Sequence, residues 1–169
     1  MNIIIEGPDA TGKTTLVEKI LAKHPDMTLL HDTGKTKNDK EYYMSLLEKD
    51  NYIFDRFHLS EYIFPQIYGR PAKLTWQDFN EITDGLDARH TYMIIFISSD
   101  IDILKNRLAE RGEYDYFKEI VPQEELFELY GNYISKMYNF GAQNIFVADI
   151  ANNGYELLDE WLKEKEIIW

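Results

Sequence analysis

A chain of 169 residues suits one domain with room for a hydrophobic core, and 44% hydrophobic with 28% charged residues is ordinary for a globular protein. A formal net charge of −12 argues against a nucleic-acid polymer or an anionic membrane as the main partner, but leaves room for a small anion in a locally basic pocket. The absence of cysteine excludes disulfides and thiolate metal sites, no apolar run is long enough to span a bilayer, and the opening Met1-Asn2-Ile3-Ile4-Ile5 lacks the basic segment of a signal peptide, so a cytoplasmic location is expected.

Residues 2–6 read as a first strand, followed by helical spacing over 15–23. A second strand is expected at 27–31 and a mobile loop at 32–38. Helical spacing at 39–49 precedes a third strand at 51–55. Helices at 59–68 and 76–88 come next. Pro65 predicts a kink or early break in the first of these, and Thr75 with Asp78 predicts a capping-box-like start for the second. A fourth strand at 92–98 leads into a helix at 100–110, then a second mobile stretch at 111–121. Pro122 suits the first turn of a helix over 123–138. A last strand at 144–150 and a helix at 155–165 complete the chain. None of the five strands alternates cleanly with polar residues, which fits parallel strands buried on both faces. Strand–helix alternation implies a doubly wound α/β sheet. No repeat, low-complexity segment or linker interrupts it, so 1–169 reads as a single domain with a lid at about 107–121.

Gly7-Pro8-Asp9-Ala10-Thr11-Gly12-Lys13-Thr14 matches G-x-x-x-x-G-K-[ST] without a gap. Glycines let backbone N–H groups turn inward around a phosphate, and the following helix offers its free N–H groups and positive dipole end. Gly7, Asp9, Ala10, Thr11, Gly12, Lys13, Thr14 and Thr15 are therefore the expected nucleotide-binding residues. Lys13, in a solvent-facing loop, should reach the β- and γ-phosphates, and the Thr14 hydroxyl should ligate Mg²⁺. The context, a strand before and an amphipathic segment after, separates this from a chance glycine-rich turn.

Asp55 and Arg56 end the third strand. In open α/β sheets the ligand lies at the carboxyl ends of the strands. Asp55 there can hold Mg²⁺ through water or accept a proton from an attacking hydroxyl. Arg56 can grip an anionic acceptor bidentately. Alone, the pair would read as an acid and base paired in solvent; beside a phosphate loop the functional reading is favoured. Arg107 and Arg111 lie one helical turn apart before Gly112, suited to clamping transferred phosphate charge.

These segments together resemble the thymidylate kinase and deoxynucleoside kinase group. Residues 5–16 look like the group's opening, with Glu6 before the first glycine. Asp55-Arg56-Phe57-His58-Leu59-Ser60 looks like its D-R-[FY]-x-x-S motif, followed by Tyr68-Gly69-Arg70. Arg107-Leu108-Ala109-Glu110-Arg111-Gly112-Glu113-Tyr114-Asp115 looks like its R-x-x-x-R-G-x-x-D lid. The resemblance implies a P-loop NTPase-type three-layer sandwich, with a five-stranded parallel sheet in order 2-3-1-4-5, helices on both faces and a short lid. It also implies ATP as donor, Mg²⁺, and adenine near residues 151–153. Some members carry a catalytic arginine in the phosphate loop; here Pro8, Asp9, Ala10 and Thr11 are not basic, which leaves Arg107 and Arg111 as catalytic candidates beside Lys13 and Asp55.

The acceptor is less directly written. Where thymidylate kinases carry an Arg-Glu-Pro-Gly-Gly-like stretch, this chain has His31-Asp32-Thr33-Gly34. Asp32 either serves as the base that deoxynucleoside kinases place there or starts a turn, with the turn slightly preferred. Phe57, Tyr62, Phe64 and Trp76 can stack a base but need no such role as core residues. Arg56 and Arg70 would need carboxylate partners beside an uncharged nucleoside, whereas a monophosphate offers them a dianion. A deoxynucleoside monophosphate is the expected acceptor, with Asp32, Arg56, Phe57 and Arg70 as substrate-binding residues. A deoxynucleoside kinase, another small-metabolite kinase and a non-catalytic nucleotide switch remain alternatives; a switch needs no paired lid arginines. A small nucleotide or nucleoside is the expected partner, and a homodimer is left open.

Overall fold

All five apolar runs are strands: β1 (Asn2–Glu6), β2 (Thr28–His31), β3 (Tyr52–Asp55), β4 (Thr91–Ile97) and β5 (Ile145–Asp149). In this computed structural model they form one parallel sheet in the order β2-β3-β1-β4-β5, the order the resemblance implies. The structure describes residues 1–31, 38–113, 123–139 and 144–168. The expectations placed on Asp32 and its loop, on the lid at 114–121 and on Pro122 lie outside these residues.

Side chains of successive strand residues point to opposite faces. Ile4, Phe54, Met93 and Ile95 therefore join one core, and Ile3, Ile5, Ile53, Ile94 and Phe96 join the other. Helices α1 (Lys13–Lys23) and α7 (Gly154–Glu164) cover the second face. Helices α2 (Lys40–Leu47), α3 (His58–Ile67), α4 (Trp76–Ala88) and α6 (Gln123–Asn139) cover the first. Helix α5 (Ile101–Glu110) buries Leu104 and Leu108. This is the doubly wound P-loop kinase-like α/β fold. Among the described residues no helix is long and apolar enough to cross a membrane.

Three local features differ from the sequence reading. Strand β2 is largely exposed, because an edge strand has a neighbour on one side only. Helix α1 starts at Lys13 rather than Thr15, so Lys13 and Thr14 form its first turn after Gly12. Helix α3 continues past Pro65 to Ile67, since a proline in the last turn forfeits a single backbone bond.

The capping box of α4 forms as the sequence predicts. Thr75 Oγ1 accepts from the Asp78 amide at 3.1 Å, and the Thr75 amide donates to Asp78 Oδ2 at 2.9 Å. Thr75→Ala should cost about 1 kcal/mol. A thermal melt should show a loss of roughly 2–4 °C; an unchanged midpoint would mean that α4 is held by packing alone.

Candidate active site

The site grows from the carboxyl ends of β1 and β3. Parallel register sets Ile5 opposite Asp55, and Asp55 opposite His31 of β2. The phosphate loop leaves β1 at Glu6 and enters α1 at Lys13. Gly7 has φ 134°, and a Cβ there would lie 2.4 Å from the Phe96 carbonyl oxygen, so this position accepts only glycine without a shift of backbone. Thr11 Oγ1 donates to the Pro8 carbonyl at 2.8 Å, closing the loop on itself.

Lys13 is not in open solvent as the sequence suggested. It is 8% exposed, because the loop folds back over it. Its Nζ donates to the Pro8 carbonyl at 2.7 Å and lies 3.8 Å from Asp9 Oδ1. Burial lowers the Lys13 pKa from 10.5 to about 8, and the Arg56 charge adds to this, against the pull of Asp9, Asp55 and Glu6. The ammonium is thus poorly compensated and suited to meet a polyanion.

Beneath the loop lies a buried polar network. Glu6 is fully buried and accepts from the Phe57 amide at 2.7 Å, the Ser60 amide at 3.0 Å and Ser60 Oγ at 2.5 Å. Burial still pushes its pKa above the ordinary value. Arg56 extends the network: Nη1 donates to the Gly7 carbonyl at 3.3 Å and to Ser60 Oγ at 3.4 Å, while Nη2 donates to Asp9 Oδ1 at 2.8 Å. Its guanidinium also lies 4.8 Å from the centre of the Phe64 ring. Arg56 has φ 71°, an uncommon backbone state for a residue with a side chain, where the chain turns from β3 into α3.

Among the described residues Asp55 is bound on one side only. His31 Nδ1 lies 2.8 Å from Asp55 Oδ2. Asp55 Oδ1 is buried and has no partner among the described residues. Asp55, His31, Asp9, Lys13, Thr14 and Arg56 line a cavity of about 170 Å³ with Arg111. Across the loop is a larger cavity of about 320 Å³, with Leu16, Phe96 and Leu158 as its apolar wall.

The two arginines at the end of α5 meet these spaces differently. Arg111 borders both, and its side chain has no hydrogen-bond or ion-pair partner among the described residues. Arg107 borders the larger cavity, donating to the Ala10 carbonyl at 3.1 Å and to Tyr155 Oη at 2.7 Å. Tyr155 Oη in turn donates to the Thr11 carbonyl at 2.8 Å. Tyr155 is a site residue the sequence reading missed; a tyrosine near the last helix carries no local signal. Gly12, Ala10 and Thr15 border this cavity too.

Two substrate-binding expectations change. Phe57 is 1% exposed and packs against Tyr43 and Phe54, so its ring belongs to the core, where the β3–α3 turn directs it. Arg70 forks onto Glu61 at 2.8 and 3.2 Å, and Glu61 is 2% exposed. With Arg56 on Asp9, both arginines already have the carboxylate partners that a nucleoside acceptor would require.

No family model matches the chain. Among solved structures, YorR from Bacillus subtilis in complex with phosphorylated GDP matches with TM-score 0.76 at 24% identity, over 99% of this chain and 96% of that one. Deoxyadenosine kinase from M. mycoides with bound dATP matches with TM-score 0.52 at 20% identity, over 96% of this chain and all (100%) of that one. The same enzyme with products dCMP and a flexible dCDP gives TM-score 0.57 at 19% identity, over 98% and 100% of the two chains. At these identities the likeness is one of fold. In sequence, the SPβ prophage-derived uncharacterized protein YorR of Bacillus subtilis (strain 168) is 30% identical over 140 residues, which cover 79% of this chain and 81% of YorR. With that identity spread over most of both chains, this protein belongs to the YorR family.

Proposed function

We propose that the chain is an ATP- and Mg²⁺-dependent kinase that transfers the γ-phosphoryl group to a deoxynucleoside monophosphate. One observation carries this reading: Lys13, Thr14, Asp55 and Arg111 converge on a single cavity at the mouth of a complete phosphate loop. The solved structures that hold phosphorylated GDP, dATP and dCMP on the same fold support it.

The residues fit Mg²⁺. That ion keeps several waters and takes few protein oxygens beside the phosphates. Asp55 supplies an orphaned buried oxygen, and Thr14 an exposed hydroxyl at the start of α1. Among the described residues no group of three or more His, Cys, Asp or Glu side chains could hold a metal by itself, so the ion would arrive with the nucleotide. When bound it neutralises phosphate charge and aligns the transferred group. The chain's own part is positional and electrostatic. Lys13 exchanges its bond to the Pro8 carbonyl for phosphate oxygens. Arg111, at the joint of the two cavities and without a partner among the described residues, meets charge that grows in the transition state. The larger cavity, with its apolar wall and with Arg107 5.7 Å above the Tyr155 ring, takes the donor's base and sugar.

The arginines should therefore differ. Arg111→Ala should lower kcat by about a hundredfold or more with little change in the KM for ATP, as loss of one transition-state donor does. Arg107→Ala should instead raise the KM for ATP, by roughly tenfold for a lost charged contact. Steady-state kinetics decide it; identical profiles for the two variants would overturn this division of roles.

A monophosphate acceptor accords with Arg56 lining the phosphate cavity, and it needs no general base because its attacking oxygen is already anionic. A second reading, a free deoxynucleoside, is favoured by the Arg56–Asp9 and Arg70–Glu61 pairs, which leave neither arginine in need of a dianion. The test is ADP formation from ATP and Mg²⁺ with each deoxynucleoside and each monophosphate in parallel. Turnover of a nucleoside with none of any monophosphate would move the chain to the second reading. No turnover of either would remove the kinase assignment.

A further inference from the structure

The His31–Asp55 contact is not required by the phosphate loop, yet the sheet builds it directly. Parallel pairing sets His31 opposite Asp55, so the two side chains leave the same face at the carboxyl edge. An ionised carboxylate only accepts hydrogen bonds, so His31 Nδ1 carries the hydrogen and donates to Asp55 Oδ2 at 2.8 Å. This is the only hydrogen bond to the Asp55 side chain among the described residues. The neighbouring cations are engaged elsewhere: Lys13 Nζ with the Pro8 carbonyl and Asp9, and Arg56 with Gly7, Ser60 and Asp9. Asp55 Oδ1 stays buried and has no partner among the described residues. Without a fixed donor on Oδ2, the carboxylate could rotate and exchange its two oxygens.

We propose that His31 is a positioning residue: by holding Oδ2 it fixes the Asp55 carboxylate so that the orphaned Oδ1 is reserved for the hydrated cation that accompanies the nucleotide. This rests on the kinase reading of the cavity. A partner that orients a metal-facing group typically governs metal affinity or activity by 10–100-fold. His31 lines the same cavity, and in this role it acts through Asp55. Its side chain is 54% exposed on an edge strand, so its replacement leaves both cores untouched.

The experiment is calorimetric binding of ATP to the full chain, with Mg²⁺ and with EDTA, for the wild type, His31→Ala and His31→Asn. Asparagine keeps an N–H donor near the Nδ1 position. The wild type should bind ATP more tightly with Mg²⁺. His31→Ala should lose about tenfold of that Mg²⁺-dependent gain while its affinity in EDTA is unchanged. His31→Asn should recover most of it. A gain in His31→Ala equal to the wild type's would overturn the role of His31, as would equal losses in the two variants. A wild type with no Mg²⁺-dependent gain would instead overturn the cation reading of the whole cavity, which separates the two failures.

Discussion

Lys13→Ala should abolish phosphoryl transfer without unfolding the protein. Losing one positioned contact to transferred charge costs roughly 3 kcal/mol or more, a hundredfold or greater fall in turnover. The burial of Lys13 sharpens the expectation. Its pKa of about 8, against 10.5 in water, places about 3 kcal/mol against the charged form in the nucleotide-free protein. The sign follows from linkage. Between pH 8 and 10.5 the unfolded chain holds the proton that the folded chain has released, so this group's contribution to stability rises with pH through that window. Alanine removes that rise and relieves the buried cation near neutral pH. The variant should therefore melt no lower than the wild type at pH 7 without nucleotide, and should lose the stabilisation that ATP confers. Wild-type turnover in the variant would remove Lys13 from the mechanism. A strongly lowered melting point at pH 7 would show instead that the Lys13–Pro8 bond holds the loop.

Gly7→Ala should produce the largest loss of stability among single-methyl additions at the site. The new Cβ would meet backbone, the Phe96 carbonyl at 2.4 Å, rather than a side chain able to swing aside. At φ 134° the added carbon is also strained whatever the space. Backbone strain of about 1–3 kcal/mol and overpacking of about 1–3 kcal/mol act together. For a domain of this size that is a fall of roughly 10 °C in Tm. The damage should also reach function, because β1 and β4 pair side by side and any shift moves the loop that leads from β1 to Lys13. Differential scanning calorimetry of the nucleotide-free variant checks the first part, and ATP titration the second. A melt within 2 °C of the wild type (on the scale of less than about 1 kcal/mol) would mean that the loop relaxes without cost.

The loop between β1 and α1 was legible because its motif is contiguous: eight neighbouring residues, with a strand before and an amphipathic segment after, carry the signal. The sheet was legible for a related reason, since continuous apolar runs interleaved with helical spacing admit few topologies. What the sequence hid is whatever depends on contacts across the fold. Nothing local to Arg70 shows that Glu61, one helix earlier, is buried and waiting for its fork. Lys13 looked solvent-facing because only the folded loop brings the Pro8 carbonyl over its amine. Phe57 follows Arg56 in a motif that the sequence reads as functional, yet the backbone turn at Arg56 sends the ring into the core. Arg107 and Arg111 share a helix face, but one is fastened to Tyr155 and the other stands between two cavities.

The bond from Tyr155 to the Thr11 carbonyl joins residues 144 positions apart. That separation has a consequence for synthesis on the ribosome, where the phosphate loop emerges long before the tyrosine that braces it. Until α7 has docked, Thr11 and Arg107 lack Tyr155, and the larger cavity lacks the wall supplied by Leu158 and Asp159. Closing so long a loop is slow compared with forming local helices. The nascent chain thus carries the loop between β1 and α1 in an open form, and the nucleotide binding proposed above becomes a late event that follows the docking of α7.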